Sequence, residues 1–127
     1  MTNEALSEFL VLSRGQWDAE LPPETIQVAI DRFYDWHARA VEDGRMKPGQ
    51  RLAKPSRLVM KHGIVDGPFA EAKEIIGGYW FILARDLEEA AKIAAENPCL
   101  ACGLQYEIRQ VDVTRSSAFV AASETPG

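Results

Sequence analysis

Cysteine and histidine are scarce, with two residues of each in 127. Cys99 and Cys102 stand in a C-x-x-C spacing, but a structural zinc needs two further ligands, and His37 and His62 lie far apart with no partner spacing of their own. A redox pair usually sits at a helix N-terminus, where the dipole favours the thiolate. This pair follows the end of a helical segment, which opposes it. Buried free thiols in a reducing compartment are therefore expected, with no metal and no cofactor. Basic charge is also short: 14 Lys and Arg face 19 Asp and Glu, a net charge of -5. A nucleic-acid backbone wants a clustered excess of cations, so nucleic acid is not an expected partner. No apolar run approaches the roughly 20 residues that span a bilayer. The opening Met1-Thr2-Asn3-Glu4 has no basic stretch leading into an apolar one, so a cytoplasmic protein without membrane contact is expected.

What is present reads as one α+β domain over residues 8–113, between a flexible N-terminus (1–7) and a flexible C-terminal tail (114–127) rich in Ser, Ala and Thr. Phe9-Leu10-Val11-Leu12 is apolar on both alternating faces and predicts a strand covered on two sides. Pro23 then fits the first position of a helix from Glu24 to Asp43. Its stripe is Ile26, Ala29, Ile30, Phe33, Trp36, Ala40 and Val41, and Gly44 stops it. His37 borders this stripe and reads first as a hydrogen-bonded imidazole at the helix–sheet seam, against a catalytic alternative. Lys47 to Pro55 reads as a short edge segment or loop limited by its prolines. Arg57-Leu58-Val59-Met60 and Gly63-Ile64-Val65-Asp66 predict a hairpin. Tyr79 to Ala84 is the strongest strand signal and again apolar on both faces. Asp86 with Glu89 resembles a capping box opening a second helix, which Asn97-Pro98 ends. Leu104 to about Val111 alternates as the last strand.

Strand, helix, hairpin strands, strand, helix, strand is the order of a ferredoxin-like βαββαβ antiparallel sheet with two helices on one face. The two segments expected at the centre are the two that are apolar on both faces. Helices on one side leave the other side of the sheet bare, an apolar area well beyond the few hundred Å² at which an interaction surface becomes the default. A homodimer with sheets face to face is expected, with a small-molecule cavity at or near the interface.

The densest cluster of ionisable groups and turn-forming residues is Asp66-Gly67-Pro68-Phe69-Ala70-Glu71-Ala72-Lys73-Glu74, followed by Gly77-Gly78-Tyr79. This run resembles the signature of the DGPF-domain, YCII-related proteins. The resemblance extends through Tyr79 to Ala84, the helix after Asp86, Asn97-Pro98-Cys99-Leu100 and Glu107-Ile108-Arg109. It implies a dimeric α+β barrel, within a superfamily that holds enzymes as well as proteins without a known reaction. It also implies an association with extracytoplasmic-function sigma factors, hence a regulatory or accessory role. Some relatives use a histidine shortly after the first strand paired with an aspartate. The corresponding Ser13-Arg14-Gly15-Gln16-Trp17-Asp18 has no histidine, so only Asp66 is carried over from that pair.

Asp66 is the catalytic candidate: a carboxylate at a strand end, partly desolvated in a dimer cavity, could act as general acid or base in a lyase- or isomerase-type reaction. The competing reading makes it an Asx-type cap of its own turn. Glu71 and Lys73, with Glu74, are candidates for a polar ligand or for solvated ion pairs. Arg14 and Trp17 are candidates for an anion contact and a stacking wall around a small aromatic or carboxylated ligand. Gly77 and Gly78 read as a bulge or a close backbone approach. With no histidine beside Asp66, a binding role stands ahead of catalysis.

Overall fold

The computed structural model describes residues 5–66 and 75–127. The chain runs β1 (Ser7–Arg14), α1 (Pro23–Glu42), β2 (Met46–Arg51), β3 (Arg57–Met60), β4 (Gly63–Asp66), β5 (Ile76–Ala84), α2 (Leu87–Ala94), a short 3-10 turn (Pro98–Cys102) and β6 (Gln105–Gln110). Four strands form one antiparallel sheet in the order β2-β5-β1-β6. This is the ferredoxin-like order, with the two strands that are apolar on both faces at its centre.

Strand alternation divides the sheet into two faces. Phe9 and Val11 of β1 and Trp80, Ile82 and Ala84 of β5 are buried in one cluster with Ala40 of α1 and Ala90 and Ala94 of α2, so both helices cover the same face. Small alanines on the helices let them settle close onto the large side chains of the strands. The opposite face carries Leu10, Leu12, Tyr79, Phe81 and Leu83, which in the single chain are only half-buried. Ion pairs border this stripe: Lys47 with Glu8 at 3.3 Å, Arg109 with Glu107 at 3.5 Å, and Arg14 with Glu107.

The second strand of the sheet differs from the expected one. Met46–Arg51 takes the edge beside β5, and the hairpin β3–β4 forms a separate two-stranded sheet. Pro48 has no N–H to give to a ladder, and the pairing of β2 with β5 slips between Lys47 and Gln50, around Pro48 and Gly49. That bulge lets a proline-containing stretch serve as an edge strand. A Cβ built on Gly49 would lie 1.9 Å from the Tyr79 carbonyl oxygen, so only glycine fits where the bulge presses on β5.

The helix ends follow the sequence closely. Pro22 caps α1 without a side-chain bond and Pro23 occupies its first turn. Asp86 Oδ1 accepts the backbone N–H of Glu89 at 2.8 Å. The reciprocal arm of the box shifts by one residue, because Glu89 Oε1 accepts from the backbone N–H of Arg85 at 3.2 Å, and Arg85 Nε also donates to Glu89 Oε2 at 2.6 Å. After β6 the chain forms turns but no helix or strand, and its residues beyond Val111 are exposed. Two hydrogen bonds tie it back: the Val111 N–H donates to the Glu8 carbonyl oxygen at 2.8 Å, and Arg109 Nη2 donates to Ser123 Oγ at 3.0 Å.

Candidate functional site

A cleft opens on the helix side of the sheet, between the middle of α1 and the ends of β1 and β5. Its volume is about 1580 Å³. The floor is the end of the central strands, Ser13 of β1 and Gly77, Gly78 and Trp80 of β5; α1 gives Ile30, Phe33, Tyr34 and His37; Trp17, Leu104 and Tyr106 close one end. The segment Gln50 to Ser56 forms the outer lip.

Glycine at the floor makes the space. Ser13 pairs with Gly78 and Arg14 with Ile76, which leaves Gly77 as the extra residue of a β-bulge. A Cβ on Gly77 would meet nothing closer than Ser13 Oγ at 3.9 Å, so its missing side chain is open volume. Gly78 is tighter: its Cβ would meet the Gln50 carbonyl oxygen at 3.0 Å. One glycine leaves room in the cleft and the other admits β2.

The walls are aromatic. The His37 ring stacks on Phe33, centroids 5.6 Å apart and 17° from parallel, and meets Trp80 edge-on at 5.2 Å. Trp80 in turn meets Phe33 at 5.9 Å and Tyr106 at 6.4 Å. Such edge-and-face contacts fix the ring planes before any ligand arrives. Burial lowers the His37 pKa, against a smaller opposing pull from the backbone of Lys47. Nε2 is buried and meets no partner in hydrogen-bonding geometry. His37 thus sits at the expected seam, with burial disfavouring its charged form and the Lys47 backbone as its hydrogen-bonding neighbour.

A second polar group lies at the back. Burial, then the adjacent Cys99 thiol, push the Tyr106 phenol up, with smaller downward pulls from Ser13 and Asn97. The phenol stays un-ionised, able both to donate and to accept. Asn97 is buried; its Oδ1 accepts the Cys99 backbone N–H at 2.8 Å, while Nδ2 finds no well-aligned partner. Cys99 and Cys102 are free and buried. Burial raises the Cys99 pKa, and its thiol sits 3.7 Å from the Ala29 carbonyl oxygen, the environment of an inert packing thiol.

The sequence candidates separate in space. Trp17 lines the cleft and also packs on Ala29, Cys99 and Cys102. Arg14 does not line it: strand alternation from Phe9 and Val11 turns Arg14 to the bare face, where it pairs with Glu107. Asp66 is at the end of β4, its side chain 80% exposed and 2.9 Å from Arg57 Nε. It is not on the cleft wall. Glu71 and Lys73 lie outside the described residues. The cleft also brings in residues that the sequence reading left out: Ser13, Phe33, Tyr34, Trp80 and Tyr106. For the two on α1, Phe33 and Tyr34, the signal is the crowding of aromatic rings at Phe33, Tyr34, Trp36 and His37, more than a helix stripe needs. No group of His, Cys, Asp and Glu fit to hold a metal occurs among the described residues, and no helix among them is long and apolar enough to cross a membrane.

No curated protein matches the chain. Among solved structures, 5-chloro-2-hydroxyhydroquinone dehydrochlorinase from Burkholderia phenoliruptrix AC1100, in complex with 2,5-dihydroxybenzoquinone, aligns with a TM-score of 0.44 at 17% identity, over 83% of this chain and 93% of that one. A likeness of that degree carries nothing about ligand or reaction. The family comparison does decide membership: the model of the YCII-related domain matches residues 8–113, and the chain belongs to the YCII-related family.

Proposed function

We propose that this protein binds a small, flat, largely apolar molecule in the cleft between α1 and the end of the sheet, and that it does so as a homodimer joined through the bare sheet face. The observation that carries the reading is the wall itself. Phe33, His37, Trp80 and Tyr106 hold their rings in mutual contact around a preformed space whose floor is glycine. Concave sites of this kind, mostly apolar with a few polar groups, are where small molecules bind. The cleft is lined by residues on the helix side of one chain, and the proposed ligand lies there rather than between the two sheets.

Calorimetry with a library of phenols and aromatic carboxylates tests the reading, using the wild type and Gly77→Leu. The leucine side chain enters open volume, so the fold holds while the floor fills. Loss of binding at an unchanged melting temperature supports the cleft; binding that survives the substitution places the ligand elsewhere. Binding without turnover would support the accessory role, and a pull-down with an extracytoplasmic-function sigma factor and its regulators tests it. The alternative, a lyase or isomerase moving a proton through Asp66, rests on the sequence motif. It gains support if a cleft ligand is turned over and Asp66→Asn abolishes turnover while leaving affinity intact.

A further inference from the structure

The charges around the cleft are one-sided. The chain has an excess of acids, 19 against 14 cations. Yet among the described residues lining the cleft there is no Asp or Glu, and the only permanent charges are Arg51 and Lys54. Both are exposed, and neither has an ion-pair partner among the described residues. Most of the other cations described are tied: Arg14, Arg45, Lys47, Arg57, Arg85 and Arg109 each meet a carboxylate. Two cations on the lip of an aromatic cleft with no acid among its described lining residues make a local positive field in an otherwise negative protein.

Arg51 is held at the lip by the fold. It pairs with Gly78 across the β2–β5 ladder, and the next residue, Leu52, donates its N–H to the Gly77 carbonyl oxygen at 2.9 Å. The guanidinium therefore starts from the same strand end that forms the glycine floor. Lys54 follows three residues later on the same lip. A flat ring seated against Trp80 and Phe33 would present a ring substituent outward, toward these two side chains.

From this we infer that the ligand is an aromatic anion, a carboxylate or phenolate on a planar ring body, with Arg51 and Lys54 receiving its negative group. The inference rests on the cleft being the binding site. It replaces the anion contact expected from Arg14, which faces the other side of the sheet.

The test is calorimetry with naphthoate and its neutral counterpart naphthamide, on the wild type and on the double variant Arg51→Gln/Lys54→Gln, at low and at raised salt. Both substituted side chains are exposed, and the melting temperature of the variant checks that the fold is kept. Naphthoate is expected to bind about tenfold more tightly than naphthamide at low salt, the scale of one or two partly exposed charge contacts. The advantage should shrink with salt and vanish in the double variant, with naphthamide unaffected throughout. Equal binding of the two probes overturns the inference while leaving the flat-ligand reading standing. A preference for naphthoate that survives in the double variant overturns it as well, since another group then reads the charge. Binding of neither probe to the wild type removes both the inference and the reading beneath it.

Discussion

Burial disfavours the charged form of His37, and this sets a pH dependence. In the unfolded chain its imidazole takes a proton near the ordinary value of about 6.5, whereas burial lowers the value in the fold. Below about 6.5 the unfolded state therefore binds more protons than the native one, and stability is lost as pH falls towards the folded value. The melting temperature should fall between about pH 7 and pH 5, and His37→Gln should flatten that slope. Thermal melts across the range decide it; an equal slope in the variant would mean that His37 is not held neutral. The seam position of His37 was legible from the α1 stripe. Its poorly partnered nitrogen was not, because that depends on where the backbone of β2 passes. Arg14 and Arg51 teach the same lesson about direction. Both are cations at strand ends, and which one meets the cleft follows from strand parity and from which strands pair, which no local pattern announces.

At the scale of elements, caps and turns were the most readable features, since each rests on a few adjacent residues. Asp86→Ala removes the acceptor for the Glu89 N–H and should cost about 1 kcal/mol, measured by urea unfolding. The harder case was β2. A stretch containing Pro48 and Gly49 carries no alternating pattern, and the hairpin β3–β4 has a cleaner one, so the sequence reading filled the sheet's second position with hairpin strands. The structure reverses this because the bulge at Pro48 and Gly49 accommodates the missing donor at an edge. Gly49→Ala therefore makes a direct test of that strand. With a Cβ at 1.9 Å from the Tyr79 carbonyl oxygen, β2 must shift, and destabilisation of roughly 3 kcal/mol is expected. A variant as stable as the wild type in urea would show that the bulge is not where the chain needs glycine.

The whole molecule is organised by one asymmetry between the two faces of its sheet. The helix face is packed and ends in a cleft; the other exposes an apolar stripe bordered by ion pairs. Both central strands announce this in sequence by being apolar on both sides, so the architecture was legible at long range even though one edge strand was misplaced. The site was not, because it depends on rings from α1, β5 and β6 meeting in space, and Asp66, the residue that the motif singles out, lies out on the hairpin. If the bare face joins two protomers, Phe81→Arg places a charge in the stripe beside Tyr79, 6.0 Å away between ring centroids. Sedimentation should then show a dimer for the wild type and a monomer for the variant, while a monomeric wild type would remove the dimer from the account.

The central claim is that the ligand sits on the helix side, in the cleft. Amide and indole shift mapping by NMR, with naphthoate titrated into labelled protein, reads both faces at once. Saturable shifts are expected at Gly77, Gly78, Tyr106 and the Trp17 and Trp80 indoles, with Leu10, Phe81 and Leu83 unmoved. Shifts concentrated on Leu10, Phe81 and Leu83 instead would contradict it, placing the ligand on the bare face of the sheet.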